Sequence, residues 1–475
     1  MADRPKNVLL LWTDQQRADT VGPGKDPKLE MPNLDQLVAT GAHFQHAYCA
    51  QPVCSPARAT VLTGVYPHTH GVVDNNIVPD PDIPMITELL QPVGYATGYN
   101  GKWHLGNEHR AQRGFNDWVS TEGYVRSHEK EGYSSHHQFL VSRGQTPPDR
   151  NSSGEMTFSR FTAAGLPEEV GKPAFQTQEA IRFLETHRDE PFFLSVNFLE
   201  PHSPFDGPLN GYYRPEDMTL PDTWYTEMEE SVPLRFRRLR DAYAGDYMTS
   251  HSHWVKSNDK WGWKDLKARY WGLCTLVDRY FGRILTRLEE LGLAEDTIVV
   301  HTSDHGHMMG EHRLLNKSVQ YDQSAQIPFV IRVPGLAPQQ LATPVGHVDL
   351  VPTLLDLLDQ PLPDHLQGNS LVPLLQNGDS APDEGQTVIE WNGGLRDDAL
   401  GNGGPAEVRT VRRGFWKLSI HASGEHELYD LQEDPAEQHN AFADPGNETV
   451  IRDLYERLRQ WQRETDDSLE LPALE

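Results

Sequence analysis

The sequence predicts an α/β fold: a large, mostly parallel central sheet flanked by helices, with a smaller C-terminal α+β subdomain built on an antiparallel sheet. Three observations predict it. Apolar runs of the kind buried on both faces recur between Asn7 and Val333 and end abruptly in polar residues. Stretches with apolar residues at helical spacing lie between them. Beyond a segment of linker composition, 376–385, the pattern changes to the alternation of antiparallel strands. The expected division is a catalytic α/β domain over 1–375 and the subdomain over 386–475.

Asn7 to Thr13 is the first buried-type run, and it stops at Asp14-Gln15. Ligands of open α/β sheets gather beyond the carboxyl ends of strands, which is where Asp14 and Gln15 would stand. Met31 to Gly41 reads as a helix started after Pro32 and stopped by Gly41. It leads to Cys54-Ser55-Pro56-Ala57-Arg58, followed by Thr63-Gly64. A thiol and a permanent cation one helical turn apart suit a nucleophile beside the anion it attacks. The same five residues also suit an ordinary helix start with Cys54 as a small buried hydrophobe.

Ile83 to Gly94 is expected to be helical, Tyr95 to Tyr99 a strand, and Gly101-Lys102-Trp103-His104-Leu105-Gly106 a turn. From 107 to 172 periodicity lapses, as in long surface loops. A helix over Thr177 to Thr186 precedes the strand Phe192 to Phe198, which ends at Glu200-Pro201-His202-Ser203-Pro204. The span 206–262 is irregular and rich in Trp and Tyr. Lys264 to Leu291 is a long amphipathic helix whose Tyr270, Leu273, Val277, Tyr280, Ile284 and Leu288 are core residues. Thr297 to Ser303 repeats the opening arrangement and ends at Asp304-His305-Gly306. Parallel neighbouring strands would bring Asp14 and Asp304 together. Lys317 precedes a strand over Pro328 to Val333 and a helix over Val351 to Leu358. Val408 to Ile420 and His426 to Asp430 alternate like antiparallel strands, and a polar helix closes the chain.

Composition narrows the function. A formal charge of -27 disfavours nucleic acid and anionic membrane as partners, so an anionic substrate needs a local cluster of cations. No apolar segment approaches the about 18 residues of a membrane span, and no secretory leader is read at the N-terminus; a cytoplasmic protein is expected. Cys49, Cys54 and Cys274 are an odd number without metal-type spacing, which indicates neither a disulfide framework nor a zinc site.

The polar residues at strand ends and turns sort into two sets. Asp14, Gln15, Asp304 and His305 suit a divalent cation. Arg58, Lys102, His104, His202 and Lys317 suit the oxygens of a tetrahedral anion. Singly, each has an ordinary structural role open to it. As an ordered set, the sequence resembles the type I, formylglycine-dependent sulfatases of the alkaline phosphatase superfamily. The resemblance runs through Asn7 to Gln15, Cys54 to Arg58 with Thr63-Gly64, Gly101 to His104, Pro201 to Pro204, Ser303 to Gly306, Lys317 and Glu427 to Glu437.

The resemblance implies an alkaline phosphatase-like fold and a sulfuric ester hydrolase acting on a sulfated sugar or small organic sulfate. It implies that a maturation enzyme oxidises Cys54 to formylglycine, whose hydrated aldehyde attacks sulfur with one oxygen and releases sulfate through the other. Asp14, Gln15, Asp304 and His305 would bind one divalent cation together with the Cys54-derived group. Arg58 and Lys102 would position that group, His104 would take the releasing proton, and His202 or Lys317 would serve the departing alkoxide. Gln15 stands where a second Asp is frequent in the family, and His305 where Asn is frequent. Calcium is the expected ion, with manganese the alternative that these two changes admit. A phosphonate or phosphate mono- or diester hydrolase on the same scaffold is the competing reading; the presence of both Lys102 and His104 favours sulfate. A non-catalytic binder of sulfated ligands is opposed by the complete set of catalytic positions. The alcohol part of the substrate and any homo-oligomeric state stay open.

Overall fold

The computed structural model describes residues 6–122, 134–145, 166–244, 259–379, 385–394 and 406–474. In chain order the first strands are β1 (Asn7–Thr13), β2 (Ala42–Phe44), β3 (Ala47–Tyr48), β4 (Ala96–Gly101), β5 (Asp117–Ser120) and β6 (Phe192–Phe198). Then come β7 (Thr297–Ser303), β8 (Gln326–Ile327), β9 (Phe329–Arg332), β10 (Gln339–Leu341) and β11 (Val345–Gly346). The last are β12 (Gln386–Trp391), β13 (Val408–Arg413), β14 (Trp416–His421) and β15 (Glu427–Asp430). Eight strands form the main sheet in the order β10-β2-β9-β7-β1-β6-β4-β5. All its pairings are parallel except those of β9 with β2 and β7.

The central strand shows why the sheet is a middle layer. All seven residues of β1 are buried. Its side chains alternate between two cores, as the two-residue period of a strand requires. Leu9 and Leu11 pack with Phe183, Tyr280 and Phe281, from the helices Lys172–Thr186 and Lys260–Glu290. Val8, Leu10 and Trp12 pack with Ala57, Val61 and Leu354, from the helices Cys54–Thr63 and Leu350–Leu357. Helices therefore cover both faces, and the carboxyl ends of β7, β1, β6 and β4 lie side by side at one edge. The register pairs Thr13 with Ser303, so Asp14 and Asp304 leave the sheet together, as expected.

β12 to β15 form the separate antiparallel sheet in sequential order. The helix Glu448–Thr465 packs on it through Leu454, Leu458 and Trp461. A third, three-stranded sheet, β11-β3-β8, was not foreseen; two-residue strands leave no periodic signal. Among the described residues no helix is long and apolar enough to cross a membrane.

Several boundaries moved. The helix expected over Ile83 to Gly94 spans only Ile86–Leu90 and continues as a tight turn over Gln91–Val93. Pro92 removes a backbone donor there, and Gly94 closes the turn at a φ of 94°. The supposed loops of 107–172 contain β5 and a helix, Ser135–Ser142; their residues 123–133 and 146–165 lie outside the described residues. In 206–262 the helix Leu234–Ala244 was missed because its four arginines obscure the apolar spacing, and 245–258 lie outside the description. β12 was missed beside the linker, whose residues 380–384 are likewise outside it.

Candidate active site

The helix Cys54–Thr63 delivers the nucleophile candidate. Val53 before it is extended, Pro56 sits in its first turn, and Gly64 ends it in the left-handed region at a φ of 70°. Every residue of the helix is buried, and its amino end points Cys54 into the site where the sheet's carboxyl edge lies. Cys54 Sγ is 3.3 Å from His305 Nε2, 3.5 Å from Lys317 Nζ and 3.9 Å from Asp14 Oδ1.

Arg58, one turn along the helix, binds the two carboxylates to each other. Its Nη2 donates to Asp14 Oδ2 at 2.9 Å and its Nε to Asp304 Oδ2 at 3.1 Å. Its Nη1 donates to the carbonyl of Lys102 and to Asn197 Oδ1, both at 2.7 Å. The face of the guanidinium lies 4.9 Å from the Trp12 ring centre. Every donor direction is thus used, which is what a fully buried cation requires. Lys102 Nζ reaches Asp14 Oδ2 at 2.5 Å. Lys317 Nζ bridges Gln15 Oε1 at 2.7 Å and His202 Nε2 at 3.4 Å. All ten residues singled out in the sequence belong to this one cluster.

The electrostatics follow from burial and neighbours. Burial and the Cys54 sulfur oppose the charge on Asp14, but Lys102, His202 and Arg58 hold its carboxyl below the usual range. Burial and the adjacent Asp14 raise Asp304. Burial also opposes ionisation of Cys54, yet Lys102, Lys317, His305 and a hydrogen bond from His104 keep the thiol well below its ordinary value. Burial and Lys102 lower His104 to about 4, so its ring is neutral. Arg58, Lys102 and Lys317 thus stand together around Asp14, Asp304 and Cys54, a local cluster of basic side chains inside a protein of charge -27.

The donor chemistry fits a divalent cation. Ligand atoms of Asp14, Cys54, Asp304 and His305 lie within 4.8 Å of one another. His305 Nδ1 faces the Gly306 carbonyl at 2.9 Å, which leaves Nε2 as the ligating nitrogen. Gln15 is at the edge of this set: its Oε1 takes Lys317, and its buried Nε2 has no partner among the described residues. Gln15 and His104 also hold left-handed φ values of 70° and 60°, the kind of backbone strain that collects at working sites.

Sequence reasoning missed three supports. Asn197 is a polar residue at the end of an otherwise apolar run, a signal that was available. Glu108 accepts from the backbone N–H groups of Trp103 and His104, at 3.0 and 2.7 Å, and so shapes the turn that carries Lys102. Tyr99 donates its hydroxyl to the Lys102 carbonyl. The last two act through backbone and have no motif.

A mostly parallel sheet with carboxylates, imidazoles and a cation-ringed cysteine at its strand ends suits the class of enzymes that hydrolyse esters of tetrahedral oxyanions. Residues 6–360 match the sulfatase family model, and 310–464 match the N-sulphoglucosamine sulphohydrolase C-terminal model. The chain belongs to the sulfatase family, enzymes that hydrolyse sulfate esters. An arylsulfatase from Clostridium perfringens is 30% identical over 471 residues, covering 91% of this chain and 89% of that protein. The fold is shared with the phosphonate monoester hydrolase SpPMH of Silicibacter pomeroyi, at a TM-score of 0.80, 24% identity and coverage of 99% and 98%. It is also shared with BT4656, solved with its substrate D-glucosamine-2-N,6-O-disulfate, at a TM-score of 0.77, 23% identity and coverage of 98% and 99%.

Proposed function

We propose that the sulfatase acts through a formylglycine made from Cys54, with one divalent cation, calcium or manganese, held by Asp14, Asp304, His305 and Gln15. The observation that carries this is the position of the Cys54 side chain: it lies among the would-be metal ligands and 3.5 Å from Lys317 Nζ, in the field of Lys102. The sulfur atom marks where the oxygens of the matured side chain would stand. When present, the formylglycine and the cation supply an activated oxygen nucleophile and an electrophilic pull on the sulfuryl group.

The remaining work belongs to the chain's own side chains. Arg58 fixes the separation of the two carboxylates, its remaining N–H groups being taken by the Lys102 carbonyl and Asn197 Oδ1. Lys102 places positive charge beside Asp14 and the nucleophile. Neutral His104, hydrogen-bonded to Cys54, is the base that takes the releasing proton. His202 Nδ1 faces the Ser203 carbonyl at 2.7 Å, which turns Nε2 towards Lys317. That pair is placed to protonate or stabilise the alkoxide as it departs.

We read the substrate as a sulfated saccharide or small organic sulfate, and a formylglycine-generating enzyme as the maturation partner. Support comes from BT4656, whose bound substrate is a sulfated glucosamine. Phosphonate monoester hydrolysis is the second reading, favoured by the likeness to SpPMH. The test is turnover of aryl sulfate against aryl phosphonate on matured protein, followed by a panel of sulfated sugars. A strong phosphonate preference overturns the first reading.

A further inference from the structure

Tyr270 belongs by its spacing to the apolar face of the helix Lys260–Glu290, and it is only 1% exposed. Phe205 and His307 flank its ring, each with its ring centre 5.9 Å away. The hydroxyl does something the packing does not require. It donates to the Gln15 carbonyl at 2.9 Å and accepts from the Arg17 N–H at 2.9 Å. One oxygen therefore bridges the two peptide groups on either side of residue 16. Burial lifts the phenol well above its ordinary value, so the hydroxyl keeps the proton it donates.

The backbone held there is unfavourable by itself. Gln15 has a φ of 70°, a region that a residue with a Cβ enters at a cost. This conformation aims Gln15 in two directions at once. Its N–H donates to Asp304 Oδ1 at 3.0 Å, the carboxylate oxygen that lies 3.5 Å from His305 Nε2. Its Oε1 accepts from Lys317 Nζ at 2.7 Å, and Lys317 in turn lies 3.4 Å from His202 Nε2. The loop is thus joined to both halves of the site, the ligand cluster and the His202–Lys317 pair.

We infer that Tyr270 is a positioning residue of the active site: its hydroxyl locks the Gln15 backbone in the left-handed conformation that presents Gln15 to the ligand cluster and to Lys317. The inference rests on the proposed roles of Gln15 and Lys317, and it adds the long helix to the elements that set them. Without the hydroxyl, Gln15 is free to return to negative φ, which turns its N–H from Asp304 and its amide oxygen from Lys317 in one movement. Ion binding and service of the departing alkoxide must then weaken together.

The test compares Tyr270→Phe with Tyr213→Phe in the full-length, matured protein. Tyr213 is the matching control: its hydroxyl also takes a backbone N–H, that of Glu30 at 2.8 Å, and pairs with Thr275 Oγ1 of the same helix at 2.7 Å, but it bonds no site residue. Calorimetric titration of the chelator-treated proteins with calcium and with manganese should show binding about tenfold weaker in Tyr270→Phe. At saturating ion, kcat for aryl sulfate should also fall about tenfold, with little change in KM. Tyr213→Phe should match the unaltered protein in both measures, although each variant lowers the ion-free thermal midpoint. Ion affinity or kcat unchanged in Tyr270→Phe would leave its hydroxyl a merely structural role and overturn the proposal. No ion binding by the unaltered protein would fail the metal reading itself, and the proposal with it. If Tyr270→Phe does not fold, amide hydrogen exchange in the unaltered protein decides. Coupling is reciprocal, so adding the ion should slow exchange at the Arg17 N–H about tenfold, and unchanged exchange overturns the proposal.

Discussion

His68 Nδ1 lies 2.6 Å from Glu390 Oε1, while its Nε2 lies 2.9 Å from the Thr465 carbonyl oxygen. With an acceptor at each ring nitrogen, the imidazole carries both protons. His68 follows the Cys54 helix, Glu390 is on β12, and Thr465 ends the closing helix, so one ring ties the catalytic layer to the C-terminal sheet. Burial works against the imidazolium, but the hydrogen bond and charge of Glu390 raise its pKa above the ordinary 6.5. A raised folded-state pKa means stabilisation that is fully present below 6.5 and lost as pH climbs through the folded value. It also fades in acid, as Glu390 protonates below its own lowered pKa. His68→Gln should therefore cost about 1.5–3 kcal/mol near pH 6 and much less near pH 9, by denaturant unfolding at each pH. An equal loss at both values would show that the ring is not charged.

Lys102 and Asp14 meet at 2.5 Å in a buried pair beside Cys54. Lys102→Met should lower kcat by about 10²–10³, the size expected for one electrostatic contact to a reacting group, with a smaller change in KM. Steady-state kinetics on matured protein checks it, and an unchanged kcat would remove Lys102 from the mechanism.

Asp14 and Asp304 are fully buried and close together, so a chelator should lower the thermal midpoint as well as the activity. Calcium or manganese should restore both. His305→Asn exchanges a nitrogen donor for an oxygen donor and should move preference towards calcium. Thermal shifts across a metal series give the order, and a chelator without effect on midpoint or rate would argue against the ion.

Gly306 follows His305, the proposed metal ligand, and a Cβ there would stand 2.2 Å from the Gln323 carbonyl oxygen. Backbone cannot give way as a side-chain tip does. Gly306→Ala should cost about 1–3 kcal/mol in chemical denaturation and weaken metal binding by displacing His305. Wild-type stability in this variant would mean the loop relaxes freely.

Much of this was legible because buried parallel strands write themselves plainly: Asn7–Thr13, Phe192–Phe198 and Thr297–Ser303 have the bounds read from the sequence. The site was legible because its residues sit directly after those strands or at the start of a helix signalled by Pro56. What escaped depends on partners distant in sequence. Glu108 acts on backbone, β3 and β8 are too short to show a period, and Tyr270 reads as core because the loop its hydroxyl holds is 255 residues away in sequence.

Cys54 is 2% exposed, and the whole helix it begins is buried beneath the sheet's edge. On the proposed maturation, an enzyme acting on Cys54 would have to reach a side chain that the closed fold covers, so the modification would precede closure of the fold. Each molecule would be committed during its synthesis: one that closes over an unmodified thiol stays inert for its lifetime, and the active fraction of a preparation records a race between two clocks. Maturation enzyme given after folding should leave the Cys54 thiol unchanged by mass spectrometry, whereas co-expression should convert it to the aldehyde. Conversion of the folded thiol form would show that the helix opens.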